Sequence, residues 1–483
     1  MKIDEAYADA QAPNADASKN ARGIVLKKKL VGLFRSADDT LLFGECKGSG
    51  KENYRPSADF ADPAKPVFRC TCPSRQFPCK HALALLYACA QGAKFVEKDV
   101  PEELTAKRAK MQQRAEKKKE DADKPRQVNT TALKKKIQTQ LEGLDLLESF
   151  VQDLTRSGLG TLNAKSARKM EEQALQLGNA YLPGAKNALH ALTGLFYRSQ
   201  ISSEDELSAS AREKVYSTAL DQLNRLHALC QQGRRYLNRR LEDPELKPEL
   251  ETDIAAWLGH PWQLRELKDA GLVQTDVALL QLAFRSFDDW TRQEWVETGA
   301  WLNLQTGAVQ LTHNYRPYRA AKFIREDDSC FHIAQCAELC VYPGNMNPRV
   351  RWDAMQPRPP TAEDYARARQ HARDDFRAVI RDVKTQLKTP LGDRHPLALV
   401  AYRALGRAGG ELALEDRAGE RLLLADDGLA GEPDTVPLLS MLPAASRREQ
   451  AMLVRFAHAL DTQQLRAKPL SLLTRDEVIR LTY

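Results

Sequence analysis

The sequence predicts a multidomain α+β protein, and three observations carry that prediction. Short apolar stretches with turn signals run into three cysteines and a histidine, placed at a strand end and a helix start between Phe68 and Ala88, which marks a small metal-binding unit. From Leu133 to about residue 250, apolar residues recur every three or four positions, the period of a helical bundle. From there to the end, alternating segments broken by turns mark antiparallel sheet mixed with helix. At 483 residues the chain is long for one core, and length alone suggests about three domains.

Composition narrows the class. Hydrophobic residues at 42% and charged residues at 28% describe an ordinary globular chain, neither disordered nor membrane-embedded. A formal charge of +7 permits contact with nucleic acid without demanding it. The first twenty residues are polar, carry acids near the start and are unlike a signal peptide, so a cytoplasmic location is expected. Nine cysteines, an odd number, argue against a disulfide scaffold and for a reducing compartment.

The stretch Phe68 to Ala88 reads FRCTCPSRQFPCKHALALLYA, in which Cys70, Cys72, Cys79 and His81 form a CxCx6CxH set. Positions i and i+2 of a strand share a face, so Cys70 and Cys72 can present both sulfurs together. Pro73 is expected to end that strand and Pro78 to turn the chain back. Cys79 and His81 then stand at the start of a helix marked by Leu83, Leu86 and Ala90. Four protein ligands close a zinc site, whereas a catalytic zinc keeps a place for water. Three thiolates on a divalent ion leave a charge of about −1, which Arg69, Arg75 and Lys80 are placed to offset. One structural Zn2+ is therefore expected.

These four positions match the pattern of the SWIM-type zinc finger, which the stretch from about residue 40 to 92 resembles, and the long chain is similar to bacterial SWIM proteins. The resemblance implies a strand-strand-helix frame and a role in binding DNA or another protein. The resulting division is a mobile N-terminus at 1–21, the finger domain at 22–98, a charged linker at 99–132 and a helical bundle at 133–250. An α+β domain with hairpins at 251–355 and a C-terminal α+β domain at 356–483 complete it.

Taken in order, residues 1 to 20 lack an apolar period and are expected to be mobile. IVLKKKLVGLF and TLLFGEC read as strands, with Lys27 to Lys29 as a solvated edge. KGSGK at Lys47 to Lys51 lacks the first glycine and the hydroxyl residue of a phosphate-binding loop, carrying Glu45 and Glu52 there, so it is read as a flexible loop. The charged stretch from 102 to 136 reads as a linker, or as a solvated helix broken at Pro125, whose basic residues could neutralise phosphates.

The bundle stripe runs Leu133, Ile137, Leu141, Leu144, Leu147, Val151 and Leu154, stopped by Gly158 and Gly160. Further faces carry Met170 to Tyr181, Leu189 to Phe196 and Val215 to Leu237. His190, His227 and Cys230 have no Glu-x-x-His partners and read as structural, while Arg235 and Arg239, one turn apart, could hold a phosphate or an acidic partner. GAWLNLQTGAVQLTHNYRP reads as a hairpin turning at Thr306 and Gly307, and KFIRE and CFHIAQCAELCVYPG as strands. Cys330, His332, Cys336 and Cys340 could form a second zinc site only if the chain between the last two were helical.

Beyond Pro360 a long helix over TAEDYARARQHARDDFRAVIRDVKTQL, a shorter one over HPLALVAYRAL, a hairpin around Ala418 and Gly419, and closing strands are expected. No nucleophile elbow, HExxH pair or dinucleotide fingerprint is present, and no catalytic residue is assigned. The function expected is that of a zinc-binding interaction module for nucleic acid or protein, with a protein-docking adaptor as the alternative and an enzyme with an unrecognised site behind both. No membrane partner is expected.

Overall fold

The computed structural model describes the chain apart from residues 1–2, 14, 49–51, 62–65, 75–77, 124–128, 162–163, 199–208, 290–291, 322–327, 345, 427–431, 460–461 and 483. It resolves into two compact units, Met1–Pro125 and Arg126–Tyr483, and is α+β throughout.

In the first unit, α1 (Glu5–Ala10) and α2 (Ala15–Leu26) precede β1 (Leu30–Arg35), β2 (Leu41–Cys46), β3 (Ser57–Asp59) and β4 (Val67–Arg69). Then come α3 (Lys80–Ala90), β5 (Val96–Glu97) and α4 (Glu102–Asp123). The sheet order is β4-β3-β2-β1-β5, antiparallel except for the β1–β5 edge pair. Every residue of α3 from His81 to Ala88 is buried, as a helix apolar on all sides must be. Leu83, Ala84, Leu86 and Tyr87 pack on Leu42, Ala58 and Phe60 from one side and on Ala8, Ala21 and Ile24 from the other.

The N-terminus expected to be mobile is therefore two helices docked on α3. Their buried faces rest on alanines, Ala8 and Ala21, which carry little hydropathy but let backbones approach closely. The Tyr87 hydroxyl donates to Asp9 at 2.5 Å, and Arg22 lies over the Tyr87 ring at 4.8 Å while pairing with Asp9 at 2.8 Å. The strand expected from Gly23 begins only at Leu30, because Gly23 to Leu26 complete α2.

The charged stretch, read as a linker or as a solvated helix broken at Pro125, takes the helical alternative over α4, which ends at Asp123. Its anchor is Arg108, which forks onto Asp59 at 2.7 and 2.9 Å and also donates to Thr40. Asp59 is 5% exposed. Burial alone would raise its carboxyl, but the fork from Arg108, the Ala61 N–H and the charge of Arg69 outweigh this and hold it below the usual range.

In the second unit, α5 (Thr130–Ser157), α6 (Ala164–Asn179), α7 (Pro183–Arg198) and α8 (Ala209–Glu242) form the expected bundle. Asn129 caps α5 by accepting from the Ala132 N–H, and Gly158, at φ 81°, ends it. The core joins Ile137, Leu144 and Leu147 to Leu189, Leu226 and Leu237. Two short helices, α9 (Ile254–Trp257) and α10 (Leu264–Asp269), lead to β6 (Val273–Asp289), β7 (Glu294–Asn303) and β8 (Val309–Pro317). There follow α11 (Tyr318–Ala321), β9 (Ile333–Val341), β10 (Val350–Arg351) and β11 (Gln356–Arg358). The β7–β8 hairpin turns where predicted, with Gly307 at φ 75°. KFIRE lies wholly outside the described residues.

Next come α12 (Ala362–Gln370), α13 (Phe376–Lys388), β12 (Leu397–Ala408), β13 (Glu411–Glu415) and β14 (Arg421–Leu423). The chain closes with β15 (Arg448–Ala459), β16 (Gln464–Leu473) and β17 (Val478–Arg480). The orders are β10-β9-β6-β7-β8, with β11 also on β9, and β14-β13-β12-β15-β16-β17. The two sheets share a core in which Leu280, Leu282 and Leu302 meet Leu397, Leu399, Leu453 and Leu470.

HPLALVAYRAL, read as a helix, is mostly strand β12. Leu397 and Leu399 face the core between the sheets, while Ala398, Val400 and Tyr402 face α13, so both faces are buried and the apolar run has no visible period of two. The single long helix expected before it is two. Between them Arg373 exchanges backbone hydrogen bonds with Leu399 and Ala401, each at 2.9 Å, and Asp375 then caps α13.

The clamp on Asp59 gives a first expected outcome. Arg108→Met leaves a buried carboxylate without its fork and should cost about 3–5 kcal/mol. Thermal melting followed by tryptic cleavage within α4 measures it, and an unchanged melt contradicts the assignment. The wild-type contribution of Asp59 should be fully present above about pH 4 and lost as pH falls through its depressed folded value.

Candidate metal centre

β4 stops at Arg69, so Cys70 and Cys72 lie in the bend just past the strand and not on it, as the spacing had suggested. The bend is tied down by Thr71, whose Oγ1 accepts from the Arg55 N–H at 2.9 Å. Cys79 is the residue before the first turn of α3, in extended conformation at φ −76° and ψ 164°, and His81 sits in that turn. The carbonyl of Cys79 accepts from the Leu83 N–H at 3.0 Å, which fixes the sulfur at the mouth of the helix.

The ligand atoms of Cys70, Cys72, Cys79 and His81 all lie within 4.8 Å of one another. His81 Nδ1 is 3.9 Å from both Cys70 Sγ and Cys79 Sγ. Zinc bonds to sulfur and nitrogen imply edges of about 3.6–3.8 Å for a tetrahedral site, so a small contraction seats the ion. Cys72, Cys79 and His81 are buried and Cys70 half-buried, which leaves the site shielded. The Cys70 thiol donates to Cys79. That hydrogen bond, with one from His81, holds Cys79 down to about 4 against its burial and drives Cys70 upward.

Sequence reasoning missed Tyr54. It exchanges backbone hydrogen bonds with Cys46 at 2.8 Å, and its ring lies 4.9 Å from that of His81, walling the imidazole. Nothing in the motif spacing points to a residue sixteen positions before the first ligand. Of the cations expected to offset the site, Arg69 is turned to Asp59 at 3.4 Å, and Arg75 lies outside the described residues. Lys80 borders a groove of about 720 Å³ beside the quartet, together with Lys29, Lys47 and Tyr54.

Among the described residues, Cys330, His332, Cys336 and Cys340 do not converge on a second metal group. Cys336 and Cys340 both lie on β9, which stays extended. Burial pushes the Cys336 thiol up to about 11, in keeping with a small apolar side chain. In the bundle Cys230 is likewise pushed up to about 12 by burial, and its thiol donates to the Leu144 carbonyl. Arg235 donates to the Gln231 carbonyl of its own helix. Within RRYLNRR it is Arg234 that pairs with acids, Asp145 and Glu148, at 2.7 and 2.8 Å.

A bend carrying two cysteines and a helix start carrying a cysteine and a histidine define a finger with a closed metal site. Residues 69–90 match the SWIM zinc finger family model. The Cys3His group fits one Zn2+. Comparisons with curated proteins and with solved structures give no match.

Cys72→Ser is expected to lower bound zinc well below one per chain and to expose residues 40–92 to protease, because structural zinc binding is also folding free energy. All six tryptophans lie in the second unit, so tryptophan fluorescence should stay unchanged. Full zinc retention, or unfolding that reaches the tryptophans, contradicts the assignment.

Proposed function

We propose that Cys70, Cys72, Cys79 and His81 hold one structural zinc, and that the ion braces a nucleic-acid interaction module acting in the cytoplasm. The observation that supports this reading is the groove beside the quartet. Lys29, Lys47 and Lys80 border it, all exposed and none in an ion pair among the described residues, with Asp16 the only acid among its described lining residues. The Lys47 N–H donates to the Lys29 carbonyl at 2.9 Å, which sets these two cations side by side. Solvated cations flanking an aromatic ring suit a phosphate backbone with a base against Tyr54. In the sequence, Lys117, Lys118 and Lys119 add further positive charge after the finger.

In this reading the second unit, with its parts at about 133–250, 251–355 and 356–483, is a scaffold, and the protein performs no catalysis. A protein-docking role is the competing outcome of the test. No helix among the described residues is long and apolar enough to cross a membrane.

Binding of the full chain to single-stranded and duplex DNA and to RNA, followed against salt, decides the matter. Each phosphate contact contributes about −0.7 to −0.9 to the slope of log affinity on log salt. Replacing Lys29, Lys47 and Lys80 together by Gln should flatten that slope by about two to three. Absence of binding at low salt would leave protein docking as the module's role.

A further inference from the structure

The two sheets of the second unit contain the same three-stranded meander twice. In β6–β7–β8, Asp289 opposes Glu294 and Leu302 opposes Val309. In β15–β16–β17, Ala459 opposes Gln464 and Leu472 opposes Ile479. The turns match as well, with Gln293 and Gln463 in the left-handed region at φ 53° and 55°. Equivalent positions on the two first strands hold Arg285 and Arg455, and both side chains converge on one carboxylate, Glu432.

A cavity of about 350 Å³ lies at this junction, within the size range of small-molecule sites. Most of its wall is apolar, including Phe284, Phe287, Val296 and Leu311. At the Glu432 wall the charges do not balance. Arg455 and Lys468 are 8% and 1% exposed, and among the described residues these two and Arg285 pair with two carboxylates, Glu432 and Asp426, so that cations outnumber carboxylates by one within this cluster.

Arg285 reaches Glu432 through Nε at 3.0 Å and stacks at 4.0 Å over the Phe287 ring. Among the described residues its Nη atoms donate to no acceptor. Asp289 and Asp393 also line the cavity, as carboxylates that accept from the Arg292 and His395 N–H groups, so the cationic excess is local to the Glu432 wall. Burial, with the charge of Arg349, lowers His313 to about 4, so its imidazole is neutral and adds no positive charge.

We propose that this cavity binds a small carboxylic acid with an apolar body, its carboxylate held by the Nη fork of Arg285 and its body lying against Phe287, Val296 and Leu311. The Nη atoms of Arg285 have no acceptor among the described residues, and their planar fork matches a carboxylate. A phosphate dianion would bring a second negative charge into a cavity that Asp289 and Asp393 also line. This site is independent of the zinc finger and of nucleic-acid binding.

Calorimetric titration of the full chain with benzoate, benzyl alcohol and phenyl phosphate tests the assignment. Benzoate should bind saturably at one site. Benzyl alcohol, which lacks the charge, and Arg285→Gln, which lacks the fork, should each weaken binding by about tenfold or more. Val296→Phe, which fills the cavity and leaves every ion pair in place, should abolish it, and it decides the question alone if Arg285→Gln fails to fold. Absence of saturable benzoate binding, tighter binding of phenyl phosphate, or benzoate affinity indifferent to Val296→Phe would overturn the proposal.

Discussion

The first unit depends on the convergence of four ligand atoms from two pieces of chain. The bend after β4 delivers two sulfurs, and the entry to α3 delivers a sulfur and an imidazole, all within 4.8 Å. Ordinary side-chain packing does not favour three thiols and a ring nitrogen at that distance. A divalent cation does, and its coordination makes the position of α3 a condition of metal binding. Since α3 is buried along nearly its whole length, the ligand set and the hydrophobic core constrain the same helix. Asp59 reinforces the arrangement from the sheet side: β3 pairs with β4, and the Asp59 carboxylate gathers Arg69 at the end of β4 and Arg108 on α4.

The second unit is organised by a different constraint. Two antiparallel sheets bury their facing sides against each other, and the ion cluster around Glu432 lies within that contact. Glu432 is 4% exposed, so its charge is tolerable only because guanidinium and ammonium groups surround it. The duplicated meander accounts for two of those cations, as each copy contributes the arginine of its first strand.

Much of this was legible in the sequence. The ligand quartet follows from residue types at short spacing, the bundle from a long apolar period closed by Gly158, and the hairpins from Thr306-Gly307 and Ala418-Gly419. What was not legible has physical causes. α1 and α2 bury alanines, whose contribution is close approach and not hydropathy, so their polar sequence reads as mobile. β12 is apolar on both faces because one faces α13 and the other the opposing sheet, and periodicity cannot separate such a strand from a buried helix. Tyr54, Arg108 and the Arg285–Glu432–Arg455 cluster join residues far apart in the chain, and only the folded topology brings them together.

X-ray absorption at the zinc edge of the purified protein tests the central claim most directly. Three sulfur neighbours at about 2.3 Å and one nitrogen at about 2.0–2.1 Å are expected from the Cys70, Cys72, Cys79 and His81 set. A first shell with two sulfurs or fewer, or protein that purifies without zinc, would contradict it.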